Sequence, residues 1–294
     1  MDQAEQLRNV IKQKNLASTS GSARVVTITS GKGGVGKSNT AVNMAVWLRK
    51  MGKKVIIFDA DIGLANVEVM LGAIPKYNLT DLIYKGRNIK EIVTWGPMDI
   101  GFISGGSGIA SLNNLSKNQL SFLVHSLEEL NEMADVIIVD TGAGISDYVL
   151  EFVLASPEIL LVTTPDPSSL TDSYSLLKIL HRNPFFSKEN TKIHVVVNKV
   201  HRKEEGEAIF AKLNSVVGRF LNGDVNFIGM IPQDSDMDIA VRSQKIVSLE
   251  KPNAISSRAY EVLTGNFVNG ENKQAAMRKG ITQLFSSFLS RKSK

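Results

Sequence analysis

Apolar and polar positions follow two alternating patterns along the chain from Arg24 onward. Short β-branched runs are typical of strands buried on both faces, and longer stretches with apolar residues at helical spacing are typical of helices packed over them. The predicted strands are Val25–Thr29, Lys54–Phe58, Ile100–Ser104, Val136–Val139, Ile159–Thr163, Ile193–Val197 and Val225–Ile228. The clearest predicted helices are Thr40–Lys50, Leu120–Asn131, Leu170–His181 and Glu204–Phe220.

The alternation of strands and helices determines the expected architecture. Strand–helix–strand units close with right-handed crossovers, so the strands form a mostly parallel sheet with helices on both faces. We therefore predict a three-layer α/β fold. Ligands of such sheets bind beyond the carboxyl ends of the strands, and the residues that follow each predicted strand are the candidates for chemistry.

The alternation lapses at both ends of the chain. Residues 1–23 combine a short amphipathic stretch with a Ser/Gly-rich linker. Residues 266–294 combine a Gly/Asn-rich linker with a last amphipathic stretch, Gln274–Leu289. The predicted globular domain covers residues 24–265.

Composition narrows the class of protein. With 294 residues, 43% of them hydrophobic, the chain can bury one large core. It has no cysteine, which excludes disulfides, thiolate catalysis and cysteine-held iron–sulfur clusters. The polar N-terminus is not a signal peptide, and no apolar run reaches the ~18 residues of a bilayer span, so we expect a cytoplasmic protein. The net charge of +5 permits an anionic partner without requiring one.

A glycine-rich loop, Gly31-Lys-Gly-Gly-Val-Gly-Lys37-Ser38, follows the first predicted strand and opens a predicted helix. This is the spacing and the context of the Walker A motif. Its glycines let backbone N–H groups turn toward a phosphate, Lys37 is placed to reach the β- and γ-phosphates, and the Ser38 hydroxyl is placed to bind Mg²⁺. The residues predicted to hold the phosphates are Gly31, Gly33, Gly34, Val35, Gly36, Lys37, Ser38 and Asn39.

Acidic residues end two other predicted strands. Asp59 and Asp61 lie at alternate positions, so their side chains point the same way. Beside a metal-bound triphosphate such a pair can hold Mg²⁺ through water and orient the attacking water. Asp140 ends an apolar run in the Walker B pattern and is expected to bind Mg²⁺ through water. We therefore predict metal roles for Ser38, Asp59 and Asp140.

The loop contains an additional lysine, and the stretch Lys32-Gly-Gly-Val-Gly-Lys37-Ser38 resembles the deviant Walker A motif of the MinD/ParA family. The resemblance implies an ATPase that forms a homodimer with ATP, with Lys32 reaching the phosphates of the partner copy. It implies that Asp61 positions the attacking water, which makes Lys32, Lys37 and Asp61 the catalytic set. It also implies that the segment 141–144 acts as switch II and senses the γ-phosphate.

Two later strand ends resemble the base-recognition elements of the same family, which implies that they contact adenine. The pair Asn198-Lys199 is not followed by the Asp of a guanine-recognition motif, so ATP is favoured over GTP. The expected cofactors are therefore ATP or ADP and Mg²⁺. The predicted adenine-contacting residues are Asn198, Pro232, Gln233 and Asp234.

The last predicted helix has one apolar face flanked by cations. From Glu271 onward there are six basic residues and one acidic residue. Such a helix suits an anionic bilayer surface, although a helix docked on the core or on a partner needs the same face. MinD-like proteins carry a C-terminal membrane-targeting helix, so the resemblance implies reversible attachment to the inner face of the cell membrane. The predicted membrane-facing residues are Ile281, Leu284, Phe285, Phe288 and Leu289.

The N-terminal segment Asp2-Gln-Ala-Glu-Gln-Leu-Arg8 resembles the Asp-Gln-Ala-x-x-Leu-Arg motif of the FlhG family of flagellar number regulators, also called FleN or YlxH. In that family the segment folds as a helix on the SRP-type GTPase FlhF and stimulates its hydrolysis. A short amphipathic segment is unstable alone, which suits folding on a partner. An inert disordered leader is the alternative. The predicted partner-binding residues are Asp2, Gln3, Ala4, Leu7 and Arg8, with Gln3 the candidate for the GTP site.

These features predict an ATP-dependent, dimerising, membrane-associating ATPase that regulates flagellar number or placement and activates FlhF. Components of the flagellar switch, or C-ring, are possible further partners. A septum-site regulator of the MinD type is the nearest alternative, since only the N-terminal segment argues against it. A DNA-partitioning ATPase of the ParA type would need a basic DNA-binding face, and we expect no specific nucleic-acid partner. A metabolic enzyme on the same fold is a third class, from which the missing cysteines exclude the nitrogenase iron protein.

Overall fold

The strands form one sheet in the computed structural model, which describes residues 22–61, 66–105, 116–270, 281–282 and 284–285. The spatial order is β3-β4-β2-β5-β1-β6-β7-β8, and the edge strand β3 runs antiparallel to β4 while the other pairs are parallel. The predicted α/β class with a mostly parallel sheet is confirmed. The strands are β1 Arg24–Thr29, β2 Val55–Ala60, β3 Thr94–Trp95, β4 Gly101–Ser104, β5 Val136–Thr141, β6 Glu158–Thr163, β7 Lys192–Val200 and β8 Asn226–Pro232.

Helices connect most successive strands, and several begin at a side chain that satisfies the free N–H groups of the first turn. Asn78 and Ser116 each form a capping box, and Gly86 ends a helix in the left-handed conformation with φ of 62°. The helices in the described ranges are α1 Lys37–Lys50, α2 Asn66–Leu71, α3 Leu79–Lys85, α4 Ile89–Ile92, α5 Lys117–Glu128, α6 Leu130–Met133, α7 Asp147–Ala155, α8 Pro167–Arg182, α9 Lys203–Leu221, α10 Ser235–Arg242, α11 Val247–Glu250 and α12 Ile255–Asn269.

The strand β2 shows how the sequence divides the core between the two faces of the sheet. All of its residues are buried, as expected for a parallel strand covered on both sides. Ile56 and Phe58 pack with α3, α4 and α5, whereas Val55 and Ile57 pack with α1 and α12. A third apolar cluster lies between β6, β7 and the helices α8 and α9. Each large side chain buried in this way contributes roughly 1.5–3 kcal/mol to stability.

The last helix of the domain continues past the predicted boundary at residue 265. Helix α12 ends at Asn269, and the side chains of Tyr260 and Phe267 are buried in the cluster that also contains α1. The sequence around Gly265 was interpreted as a linker because of its Gly and Asn content. That prediction was wrong by four residues, because the tertiary contacts of Phe267 outweigh the low helix propensity of Gly and Asn.

The predicted membrane-binding helix is partly docked on the core. Ile281, Leu284 and Phe285 are each 0% exposed and belong to the same apolar cluster as β2. The Phe285 ring lies 5.5 Å from the Phe58 ring and 5.8 Å from the Phe152 ring, in edge-to-face arrangements that favour aromatic pairs. In this conformation these three residues are therefore core residues rather than exposed membrane contacts, and Phe288 and Leu289 lie outside the described residues. No helix within the described ranges is long and apolar enough to cross a bilayer.

At the amino ends of the central strands, a buried ion pair joins β1 to β6. Arg24 is 7% exposed, and its guanidinium makes two hydrogen bonds of 2.8 and 2.7 Å to the carboxylate of Glu158. His194 on β7 lies 3.2 Å from the same carboxylate. Burial would raise the pKa of Glu158, but the hydrogen bonds from His194 and Arg24 overcome it and lower that pKa to about 2. The charged form of Glu158 is therefore part of the folded state.

Replacing Glu158 with Gln is expected to lower the free energy of unfolding at neutral pH by about 3 kcal/mol, because removing one partner leaves a buried Arg24 charge without its counter-ion. Since folding lowers the pKa of Glu158, its contribution is present above the ordinary pKa and is lost as pH falls toward 2. Urea unfolding at pH 7 and pH 3 measures this difference. The control is Glu261→Gln, which removes an exposed partner of Arg258. Equal effects of the two substitutions at pH 7 would contradict the prediction.

Candidate nucleotide-binding site

The glycine-rich loop joins β1, in the middle of the sheet, to α1. Gly36 stands at the start of α1 with φ of 97°, a left-handed conformation that favours glycine. No side chain caps this helix start and the first turn contains no acidic residue. The first N–H groups of α1 are therefore available for an anion, and the positive end of the helix dipole adds to their attraction.

The loop is held tightly from one side by helix α8. A Cβ atom at Gly31 would lie 2.2 Å from the backbone carbonyl carbon of Asp172, so this position has room only for glycine. On another side the loop meets the predicted switch II segment, where the Gly144 N–H donates to the carbonyl of Ser30 at 3.0 Å. A change in the segment 141–144 can therefore be transmitted to the base of the loop through this hydrogen bond.

The predicted acidic residues meet beside the loop because of the register of the sheet. Asp59 on β2 is paired directly with Asp140 on β5. The Asp61 backbone N–H donates to Asp59 Oδ1 at 3.1 Å, which holds the turn after β2 against the same site. Asp59 and Asp140 are 4% and 1% exposed, so two carboxylates are buried next to each other.

The electrostatics of this acidic pair suit a cation. Burial, together with the neighbouring charge of Asp140, raises the pKa of Asp59 to about 7. Burial raises the pKa of Asp140 to about 6, an effect that the Ser38 hydroxyl and the Lys37 ammonium partly offset. Neither oxygen of Asp140 has a hydrogen-bond partner among the described residues. Such a pair of desolvated oxygens can hold Mg²⁺ together with the Ser38 hydroxyl and nucleotide oxygens, so the residues present fit the predicted metal.

Lys37 lies in the same cluster and is 8% exposed. Burial lowers the pKa of its ammonium, while Asp140 and Asp61 act in the opposite direction. Asp61 is less buried, and its own pKa is raised by burial and lowered by Lys37. The arrangement places one cation and three carboxylates beside the free N–H groups of α1, which is the composition needed to bind a metal-complexed phosphate chain.

Lys32 does not point into this cluster. Its ammonium donates to the Ser168 hydroxyl of the same chain at 2.7 Å, at an exposed position near the start of α8. A single exposed hydrogen bond contributes only about 1 kcal/mol, so Lys32 can exchange this partner for a phosphate at little cost. The predicted reach of Lys32 across a dimer remains a prediction.

The predicted base-recognition residues come together at the carboxyl ends of β7 and β8. Val200 pairs with Pro232, and the Gln233 N–H donates to the Val200 carbonyl at 2.9 Å. Both oxygens of Asp234 are occupied, one by the Asp236 N–H and the other by Ser256. The side chain of Asp234 therefore joins the starts of α10 and α12. Contact of this region with adenine through other atoms stays a prediction.

Asn198 also contacts the phosphate loop directly. Its Nδ2 donates to the Val35 carbonyl at 2.7 Å, and its Oδ1 accepts from the Lys199 N–H at 2.9 Å. Lys199 itself donates to the Gly34 carbonyl at 2.9 Å. Sequence reasoning missed the contacts of Lys199 and Ser168. The adjacent Asn198 was the one signal for Lys199, and nothing in the sequence pointed to Ser168.

The family model described as ParA, NUBPL iron-transfer P-loop NTPase, matches residues 21–268 of this chain. The chain is 38% identical over 240 residues to the antiactivator FleN of Pseudomonas aeruginosa, covering 82% of this chain and 84% of that protein. It is 34% identical over 272 residues to the flagellum site-determining protein YlxH of Helicobacter pylori, covering 91% and 90%. It is 30% identical over 255 residues to the septum site-determining protein MinD of Helicobacter pylori, covering 85% and 92%.

Solved structures show the same fold. A chain of the MinC:MinD cell division protein complex of Aquifex aeolicus superposes with a TM-score of 0.66 at 24% identity, covering 84% of this chain and 96% of that one. The septum site-determining protein MinD complexed with Mg-ADP from Pyrococcus horikoshii OT3 gives a TM-score of 0.65 at 22% identity, covering 88% and 100%.

Proposed function

We propose that this chain, which belongs to the ParA/MinD family of P-loop NTPases and is an ATPase, acts as an ATP-controlled switch that sets the number or placement of flagella. The observation that carries the proposal is similarity over most of the chain to two flagellar regulators, at 38% and 34% identity, above the 30% shared with a septum-site MinD. The description of the family model includes iron transfer, but this chain has no cysteine to hold an iron–sulfur cluster.

The proposed reaction transfers the γ-phosphoryl group of ATP to water. The free N–H groups at the start of α1 bind the β-phosphate, and Lys37 leaves its carboxylate neighbours to contact the β- and γ-phosphates. Ser38, Asp59 and Asp140 hold the metal side of the complex. When bound, Mg²⁺ neutralises negative charge on the phosphate oxygens. Asp61 accepts a hydrogen bond from the attacking water and orients it toward the γ-phosphorus.

In this proposal ATP also brings two copies together face to face. Two triphosphates that face each other need cations between them, and Lys32 is the candidate because it lies at the exposed edge of the loop. On dimerisation its ammonium leaves Ser168 and contacts the phosphates of the second copy. The nucleotide state would thereby determine the oligomeric state.

The C-terminal helix supplies the proposed link to the membrane. Phe285 packs on Phe58, and Phe58 directly precedes Asp59, the predicted metal-binding residue on the same strand. We infer that the docked helix is the resting state and that ATP-driven rearrangement of the carboxyl end of β2 releases it. Two released helices on one dimer bind a membrane together, and linking two weak binders in this way raises avidity by roughly 10²–10⁴.

Sedimentation with liposomes of anionic lipid tests this link. Wild-type protein is expected to pellet with a non-hydrolysable ATP analogue and to remain in the supernatant with ADP. Phe288→Glu combined with Leu289→Glu should abolish pelleting, because burying charge in the interfacial region is unfavourable. Phe152→Leu removes a ring that contacts Phe285 and should raise pelleting with ADP, whereas Phe220→Leu at an exposed position should not.

Equal pelleting of the wild type with ADP and with the ATP analogue would refute the nucleotide coupling. Absence of pelleting in both states would make the helix a permanent part of the core. A size measurement on the same samples shows whether the Glu variant still dimerises, which separates a lost membrane contact from a lost dimer.

The flagellar part of the proposal is tested at the N-terminus, which lies outside the described residues. A peptide of residues 1–20 is expected to raise the GTPase rate of FlhF without the ATPase domain. The same peptide with Gln3→Ala should lose the effect if the Gln3 amide orients a water in the GTP site, as the family resemblance implies. The measurement is FlhF turnover at saturating GTP. No stimulation by the unmodified peptide would favour a septum-site role.

A further inference from the structure

The end of β7 carries an unusual backbone conformation beside the phosphate loop. Lys199 has φ of 59°, in the left-handed region that residues with a Cβ atom rarely adopt. The pairing of β7 with β8 also shifts register between Asn198 and Val200, so Lys199 is the extra residue of a bulge. Bulges re-aim side chains next to functional sites, and left-handed non-glycine residues persist where the surroundings hold them.

The bulge directs two consecutive side chains at two consecutive carbonyl groups of the loop. Asn198 donates to Val35 O at 2.7 Å, and the Lys199 ammonium donates to Gly34 O at 2.9 Å. The contact of Asn198 is buried, and the contact of Lys199 is exposed. The fit is close, since a Cβ atom at Gly36 would lie 2.4 Å from Asn198 Nδ2.

These two hydrogen bonds determine where the loop's own donors point. In a trans peptide the carbonyl of one residue and the N–H of the next lie on opposite sides of the same plane. Holding the carbonyls of Gly34 and Val35 toward β7 therefore turns the N–H groups of Val35 and Gly36 away from β7. Those N–H groups belong to the glycine-rich loop, whose donors form the phosphate cradle.

We propose that Lys199 is a positioning residue of the ATPase, which holds the phosphate-binding loop in its binding conformation before the nucleotide arrives. Lys199 acts through the Gly34 carbonyl and does not contact the nucleotide. The loop glycines would otherwise lose conformational freedom on binding, and a loop ordered in advance binds more tightly for that reason. The inference depends on the ATPase activity and not on the flagellar role.

The test is titration calorimetry of the full chain with Mg-ADP and with a magnesium complex of a non-hydrolysable ATP analogue. Lys199→Met keeps the apolar stem and removes the donor, and it is expected to weaken both nucleotides about tenfold, the effect of one hydrogen bond from a charged group. The turnover rate at saturating ATP should stay within about twofold, because the reacting groups are unchanged. Lys203→Met removes an exposed lysine paired with Glu207 and serves as the matched control.

A second variant separates positioning from folding. Lys199→Gly removes the donor and also the left-handed strain, so the thermal midpoint of the nucleotide-free protein should stay equal or rise while nucleotide affinity falls as in Lys199→Met. A role limited to stability would lower both quantities together, which would overturn the proposal. Unchanged affinity in Lys199→Met would overturn it as well.

Salt distinguishes a hydrogen bond from a general attraction of Lys199 for phosphate. At about 0.5 M NaCl, where the Debye length is about 4 Å, a long-range attraction is screened. The affinity difference between wild type and Lys199→Met should persist there. Its disappearance would show that Lys199 acts only through its charge and would overturn the positioning role.

Discussion

Replacing Lys37 with alanine is expected to weaken ATP and ADP binding at least about 100-fold, since hydrogen bonds from an ammonium to phosphate oxygens contribute about 1.5–3 kcal/mol each. The geometry strengthens this expectation. Lys37 is 8% exposed and shares its surroundings with Asp140 and Asp61. Without it, the phosphates would approach carboxylates with no cation between them other than the metal. Calorimetric titration with Mg-ADP measures the loss.

The matched control for this prediction is Lys90→Ala. Lys90 lies on α4, half exposed and 3.7 Å from Glu129, and has no contact with the loop. Its replacement should leave nucleotide affinity unchanged. The fold should survive the loss of Lys37, because burial lowers the pKa of that ammonium and its desolvation already opposes folding. Nucleotide affinity within about threefold of wild type in a folded Lys37→Ala protein would remove Lys37 from the proposed site.

Replacing Asp61 with alanine is expected to lower the rate of ATP hydrolysis by about 100- to 1,000-fold while ATP binding is retained, as for the loss of a residue that positions the attacking water. Asp61 is the least buried acid of the cluster, and its N–H bond to Asp59 does not need its side chain. The ATP-bound state should therefore accumulate. Single-turnover kinetics and size-exclusion chromatography with ATP measure the two effects.

The same background reports on Lys32. Asp61→Ala protein should elute as a dimer with ATP and as a monomer with ADP, and adding Lys32→Ala should return it to a monomer with ATP. Ser168→Ala, which removes the partner of Lys32 within the same chain, is the control and should leave the dimer intact. A dimer that survives the loss of Lys32 would show that other groups bridge the phosphates. Wild-type turnover in Asp61→Ala would exclude Asp61 as the water-positioning residue.

The sequence by itself determined the fold class and the position of the phosphate loop. Both depend on local patterns, namely short apolar runs at strand spacing and a loop whose Gly31, Lys37 and Ser38 stand between a strand and a helix. Because parallel strands bring their carboxyl ends together, the acids after β2 and β5 were also predicted beside the loop. The register that pairs Asp59 with Asp140 turned that expectation into a contact.

Only the tertiary structure decided what covers an apolar face. The periodicity of the last helix showed that Ile281, Leu284 and Phe285 share a side, but periodicity carries no information on whether lipid or protein lies against it. Their burial on Phe58 and Phe152 comes from residues more than a hundred positions away in sequence.

Special backbone positions were likewise beyond the sequence. Asp234 was predicted beside adenine from its place after Pro232, but its oxygens are taken up by Asp236 and Ser256. Lys199 gave no local signal for a left-handed conformation, because lysine rarely adopts one and no glycine marks the bulge. In both cases the deciding hydrogen bonds join segments that are distant along the chain, and such bonds exist only once the sheet has brought the segments together.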